Sequence, residues 1–148
     1  MQSLPALAKN MGTFKQYRTL SLWDPLSVLL VDDDADSREA LAEVLAQQGC
    51  RILEAANGRQ ALDLLDGQGH DVKLILLDLQ MPVMNGWEFL AALRLRALLP
   101  PPRIIVLSGQ TPPPLAEVEA VLSKPVELTA LLGLLHRLKC ADPPMPEF

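Results

Sequence analysis

The chain has 148 residues, 49 % of them hydrophobic and 4 % aromatic, and a formal net charge of −5. That length implies one domain with a sizeable core, packed mostly from aliphatic side chains. The negative balance argues against a nucleic-acid surface, which needs a basic stripe, no apolar run approaches the roughly 20 residues of a membrane span, and no N-terminal stretch reads as a signal peptide.

Residues 1–26 include Pro5, Gly12 and Pro25 and hold no sustained period, so they are expected to form a flexible arm. Val28–Val31 reads as a strand buried on both faces, and it runs straight into Asp32-Asp33-Asp34. A helix is expected from about Ser37 to Gln48, with Leu41, Val44 and Leu45 on one face and Gly49 as its stop. Arg51–Glu54 is a short strand, and Gly58–Leu65 a second helix. Leu74–Leu77 is the most apolar strand, and it ends in Asp78. After a loop bearing Pro82 and Gly86, a third helix spans Trp87–Leu98 with Asn85 placed to cap it. Ile104–Leu107 is a fourth strand. Leu115–Ala120 is helix-prone but short, because Pro112-Pro113-Pro114 blocks an earlier start. Val121-Leu122 is a very short fifth strand, Val126–Leu138 a final helix, and residues 140–148 an irregular Pro-rich tail. Five strands alternating with helices predict a doubly wound parallel sheet with right-handed crossovers. Cys50 and Cys140 show no metal spacing and read as reduced, inert thiols of a cytosolic protein.

Parallel strands present their C-terminal ends at one sheet edge, where open α/β sheets bind ligands. Asp78 projects from the centre of that edge, and Asp32 and Asp33 close the strand beside it. Three carboxylates in one shallow pocket repel one another unless a hard cation joins them, and oxygen donors alone suit Mg²⁺ rather than zinc. His70 and His136 fall far from these strand ends. Ser108 ends the fourth strand with a hydroxyl, and Lys124 follows the fifth with an ammonium. The Lys124-Pro125 bond is open to the cis form, which would aim the lysine at the site. A carboxylate nucleophile, a divalent cation, a hydroxyl and a lysine are the parts of a phosphoryl transfer to aspartate.

The stretches VLLVDDD, LILLDLQMPVMNG, IIVLSG and LSKP, spread over about Ser27 to Lys139, resemble the receiver domain of two-component response regulators, including the receivers of hybrid histidine kinases. The resemblance implies a flavodoxin-like (CheY-like) fold over residues 27–139 and a cytoplasmic phosphoacceptor rather than an enzyme. It implies that Asp78 takes a phosphoryl group from a histidine kinase or histidine phosphotransfer protein, with Mg²⁺ held by Asp33, Asp32, Asp78 and the backbone carbonyl of Gln80. Ser108 matches the family's switch hydroxyl and Lys124 its phosphate-contacting lysine. Gln80 and Gln110 match positions that flank the water attacking the acyl phosphate, where their amides would tune its slow loss. Asp34 matches no role.

Two features depart from the family. Val121 stands where an aromatic ring usually does, three residues before the lysine, and the segment from Ser108 to Lys124 is short. The fourth helix is therefore expected to be shortened or irregular, and output to an unidentified downstream protein to use another surface, such as the first helix or the arm. No attached output domain is expected from the short stretch after Leu138. Three other readings are weaker. A phosphorylation-independent interaction module would be expected to lack part of this acid and lysine set. A carboxylate-dependent phosphohydrolase would carry an acid where Gln80 stands. A dinucleotide-binding domain would carry a Gly-rich loop where Asp32-Asp33-Asp34 stands.

Overall fold

The apolar runs become the middle of a five-stranded sheet. The computed structural model describes residues 25–67, 71–96, 98, 100–110 and 118–140. Along the chain these form β1 (Ser27–Val31), α1 (Ala35–Gln47), β2 (Arg51–Ala55), α2 (Gly58–Gly67), β3 (Leu74–Asp78), α3 (Gly86–Arg96), β4 (Arg103–Ser108), β5 (Ala120–Ser123) and α4 (Leu128–Cys140). All neighbouring strands pair in parallel, in the order β2-β1-β3-β4-β5. This is the CheY-like, flavodoxin-type doubly wound sheet.

The period-2 alternation of a strand divides each run between two cores. Leu29, Val31, Ile75, Leu77, Ile104 and Val106 face α2 and α3, against Ala61, Leu62, Leu65, Phe89, Leu90 and Leu93. Val28, Leu30, Leu74, Leu76, Ile105 and Leu107 face α1 and α4, against Leu41, Leu45, Leu131 and Leu135. Every residue of β1 and β3 is buried, which is why both read as continuous apolar runs rather than alternating ones. Truncating a fully buried leucine such as Leu76 to alanine would cost about 2–5 kcal/mol.

The chain winds outward from β1 to β2, then returns to β3 on the other side and continues to β5. That reversal opens a crevice at the C-terminal ends of β1 and β3. Gly86 seats the next helix close beneath it. Its N–H bonds the Leu79 carbonyl at 2.9 Å, and a Cβ there would lie 2.7 Å from Leu79 Cα and 2.8 Å from the Asp78 carbonyl oxygen. Asn85 and Glu88 cap that helix reciprocally: the Glu88 amide donates to Asn85 Oδ1 and the Asn85 amide to Glu88 Oε1.

Several boundaries differ from those expected. The first helix starts at Ala35 rather than Ser37, with Asp34 in the N-cap position, and α2 runs on to Gly67. The third helix spans Gly86–Arg96 and the last Leu128–Cys140, each displaced by one or two residues. Ala120 is not helical. It opens β5 opposite Ile105, and the Glu119 amide already bonds the Ile104 carbonyl at 2.7 Å. The open edge of β4 offers backbone partners that a two-residue apolar pair did not reveal. Residues 111–117, where the shortened fourth helix was expected, lie outside the described residues, as do 1–24 and 141–148. Leu26, at the end of the expected arm, packs on the α1/α4 core and accepts the Arg51 amide at 2.8 Å.

Candidate functional site

Asp32 and Asp78 sit at the crevice in matching local structures. Each carboxylate accepts through Oδ1 the backbone N–H two residues on: Asp34 to Asp32 at 2.9 Å, and Gln80 to Asp78 at 3.1 Å. Such turns are a common use of aspartate at a chain reversal. Each then offers Oδ2 to the same ammonium, with Lys124 Nζ 3.3 Å from Asp32 and 3.2 Å from Asp78. Asp32 is fully buried and Asp78 is 5 % exposed, so two unpaired carboxylates here would be costly. The shared lysine offsets part of that cost. Its own N–H bonds the Ser108 carbonyl at 2.9 Å, so β4 and β5 carry it to the site, and the Lys124-Pro125 bond is cis.

The electrostatics follow from this arrangement. Burial raises the Asp78 pKa above the ordinary carboxyl value. The Gln80 amide and Lys124 oppose the rise, while nearby Asp32 adds to it. Burial alone would lower the Lys124 pKa, but the charges of Asp32 and Asp78 outweigh it and the net shift is upward. The ammonium form is therefore held firmly.

Asp33 is exposed, and its carboxylate joins those of Asp32 and Asp78 so that one oxygen from each lies within 4.8 Å of the others. Two buried acids and one open to solvent, all oxygen donors, fit a hard divalent cation with a route in and room for water. His136 is exposed on α4, away from the edge, and His70 falls outside the described residues.

Ser108 ends β4 beside Asp78's strand, opposite Ser123 in register. Its hydroxyl donates to the Gln110 carbonyl at 2.5 Å and accepts the Gln110 amide at 3.1 Å, so it is turned into its own loop. The side chains of Gln80 and Gln110 are both exposed. Val121, three residues before Lys124, lies on β5 and is 43 % exposed. Val83, in the loop below Asp78, takes φ +66° although it is β-branched and 79 % exposed. That conformation costs about 1–2 kcal/mol.

One participant escaped the sequence reading. Arg38, in the first turn of α1, donates Nη1 to the Asp32 carbonyl at 2.6 Å and Nε to Glu54 Oε1 at 3.2 Å. No local pattern marks an arginine that reaches back over a strand end, because its partner Glu54 lies on another strand.

Comparison with known proteins gives a consistent result. The response regulator receiver domain family matches residues 28–136. The autoinducer 1 sensor kinase/phosphatase LuxN of Vibrio harveyi is 36 % identical over 116 residues, a match that covers 74 % of this chain and 13 % of that protein. The chain thus spans only a small part of that curated relative's length. Among solved structures, the chemotaxis protein CheY4 of Vibrio cholerae is 30 % identical with a TM-score of 0.69, and the match covers 78 % of this chain and 99 % of that one. The Saccharomyces cerevisiae receiver domain of Ssk1, solved together with the histidine phosphotransfer protein Ypd1, is alike in fold at 24 % identity and a TM-score of 0.66, covering 78 % of this chain and 90 % of that one.

Proposed function

From the premise that the chain belongs to the response regulator receiver domain family, we propose that it is a phosphoacceptor of a two-component phosphorelay, with Asp78 as the acceptor. The observation that carries this reading is the pair of buried carboxylates, Asp32 and Asp78, bridged by Lys124 with Asp33 open beside them.

Asp78 needs no general base, since a carboxylate is ionised at neutral pH. One of its oxygens attacks the phosphorus of a phosphohistidine donor. The P–N bond breaks, a P–O bond forms, and the imidazole leaves with its electron pair. Asp32, Asp33, Asp78 and the Gln80 carbonyl would hold Mg²⁺, which when bound supplies positive charge to the transferring oxygens. Lys124 then faces the phosphoryl group as well as Asp32. Ser108 gives up its loop bonds to donate to a phosphoryl oxygen. Gln80 and Gln110 flank the path of the water that later hydrolyses the acyl phosphate, so the protein takes part in its own phosphorylation and slow dephosphorylation.

The donor is a histidine kinase or a histidine phosphotransfer protein, a class of partner seen with the yeast receiver of the same fold. The signal passes to a downstream protein by contact. Residues 27–139 form the receiver, 1–26 an arm and 140–148 a tail, in a cytoplasmic protein. No helix among the described residues is long and apolar enough to cross a membrane.

The test is binding of beryllofluoride with Mg²⁺, or a phosphate mass shift after treatment with acetyl phosphate. A response in the wild type that is lost in Asp78→Ala is expected. No response, or the same response in Asp78→Ala, overturns the reading.

A further inference from the structure

Asp32 is restrained at every polar atom. Its amide donates to the Ala55 carbonyl at 3.1 Å, its Oδ1 accepts the Asp34 amide, and its Oδ2 faces Lys124. The fourth restraint, Arg38 on the Asp32 carbonyl, differs in kind. That carbonyl belongs to the peptide joining Asp32 to Asp33, so its orientation sets the direction in which the exposed Asp33 leaves the strand end. At 2.6 Å from a guanidinium nitrogen, the bond is short and charge-assisted.

Electrostatics alone would disfavour an arginine here. A fixed positive charge beside three carboxylates opposes a second cation. Glu54 offsets it: the carboxylate lies 3.2 Å from Arg38 Nε, on β2 in register with Leu30 of β1. The side chain of Arg38 is 19 % exposed, so the fork is packed in place, spanning from α1 across the end of β1 to β2. With its charge matched by Glu54, what the guanidinium contributes at the acid pair is geometry. A lysine could not make both contacts from one planar head group.

We propose that Arg38 is a positioning residue for a divalent cation: it fixes the Asp32–Asp33 peptide so that the Asp33 carboxylate is aimed into the pocket, and Glu54 fixes Arg38 in turn. The proposal rests on the reading of Asp32, Asp33 and Asp78 as a Mg²⁺ site.

The test is Mg²⁺ titration by calorimetry well below the melting temperature of each variant, with thermal melts alongside. Arg38→Ala is expected to raise the Mg²⁺ Kd about tenfold, the lower end for loss of a partner that orients a metal ligand. Arg38→Lys keeps the charge but not the fork and is expected to raise it several-fold, and Glu54→Gln by less. The sign is decisive. Removing a positive charge beside the acids would by itself tighten Mg²⁺ binding, and a role confined to stability would lower the melting temperature without moving Kd. Arg38→Ala binding Mg²⁺ as tightly as the wild type, or more tightly, overturns the proposal; should that variant not fold, the same outcome in Arg38→Lys does so. Asp33→Asn separates the two layers. If it too binds like the wild type, the Mg²⁺ site itself is refuted; if it alone loses binding, only the role of Arg38 is.

Discussion

The two sides of the crevice are held together in different ways. On the acid side, Asp32, Asp78 and Lys124 come from three strand ends and tie one another across 46 and 92 residues of sequence. On the hydroxyl side, the Ser108 Oγ bonds its own loop, at Gln110 two residues away. The difference follows from charge. A buried carboxylate left alone costs several kcal/mol, so its partners must be in place before any ligand arrives. A hydroxyl can exchange one partner for another at a cost near 1 kcal/mol. The charged side is therefore preset, and the neutral side is free to change.

The sharpest way to break that contrast is to remove the shared cation. Lys124→Met should destabilise the fold by about 2 kcal/mol at neutral pH, less than the ~3–5 for a fully buried pair because the lysine side chain is 28 % exposed. The pH dependence has a definite sign. The Asp78 pKa is raised in the folded state, so folding takes up a proton and stability rises as pH falls towards the unfolded carboxyl value near 4. Loss of Lys124 raises that pKa further. Urea melts should then show the variant's deficit shrinking from pH 7 to pH 5, and a deficit that stayed constant would argue against the carboxylates as its source.

Ser108→Ala should cost no more than about 1 kcal/mol in the same melts. A loss as large as that of Lys124→Met would erase the distinction between the two sides. The smallest effect is set by an exposed pair, Asp66 with Arg96, which joins α2 to α3 through two bonds of 2.9 Å. The hydrogen bond from Arg96 leads the lowering of the Asp66 pKa. Its contribution is therefore present above the unfolded value near 4 and is lost as pH falls through the lower folded value. Asp66→Asn should flatten the stability curve only in that acid range, and only at low salt. A neutral-pH loss matching that of Lys124→Met would mean that burial does not govern these pairs.

The fold was readable where residues are buried on both faces. β1 and β3 appear as unbroken apolar runs because both sides of each are covered, and the acids at their ends mark where burial stops. The edge was harder to read. β5 is only partly covered, alternating half-buried and exposed residues, so Ala-Val-Leu-Ser carried no run long enough to include Ala120. At the site, Asp32, Asp33, Asp78 and Lys124 were legible because strand ends in a parallel sheet must converge. Arg38 and Glu54 were not, because their meeting depends on how α1 lies across two strands, which no spacing along the chain encodes.

Val83 and its neighbours have a reach beyond their own loop. The Gly58 amide at the start of α2 donates to the Met84 carbonyl at 3.0 Å, and a Cβ on Gly58 would lie 2.7 Å from Met84 Cγ. The loop under Asp78 and the first turn of α2 therefore share a boundary with no slack. Opening either one would break the bond they share, which would couple the two in local unfolding. A disturbance at Asp78 would then be felt at the α2 end of the sheet, on the side away from β5 and Val121.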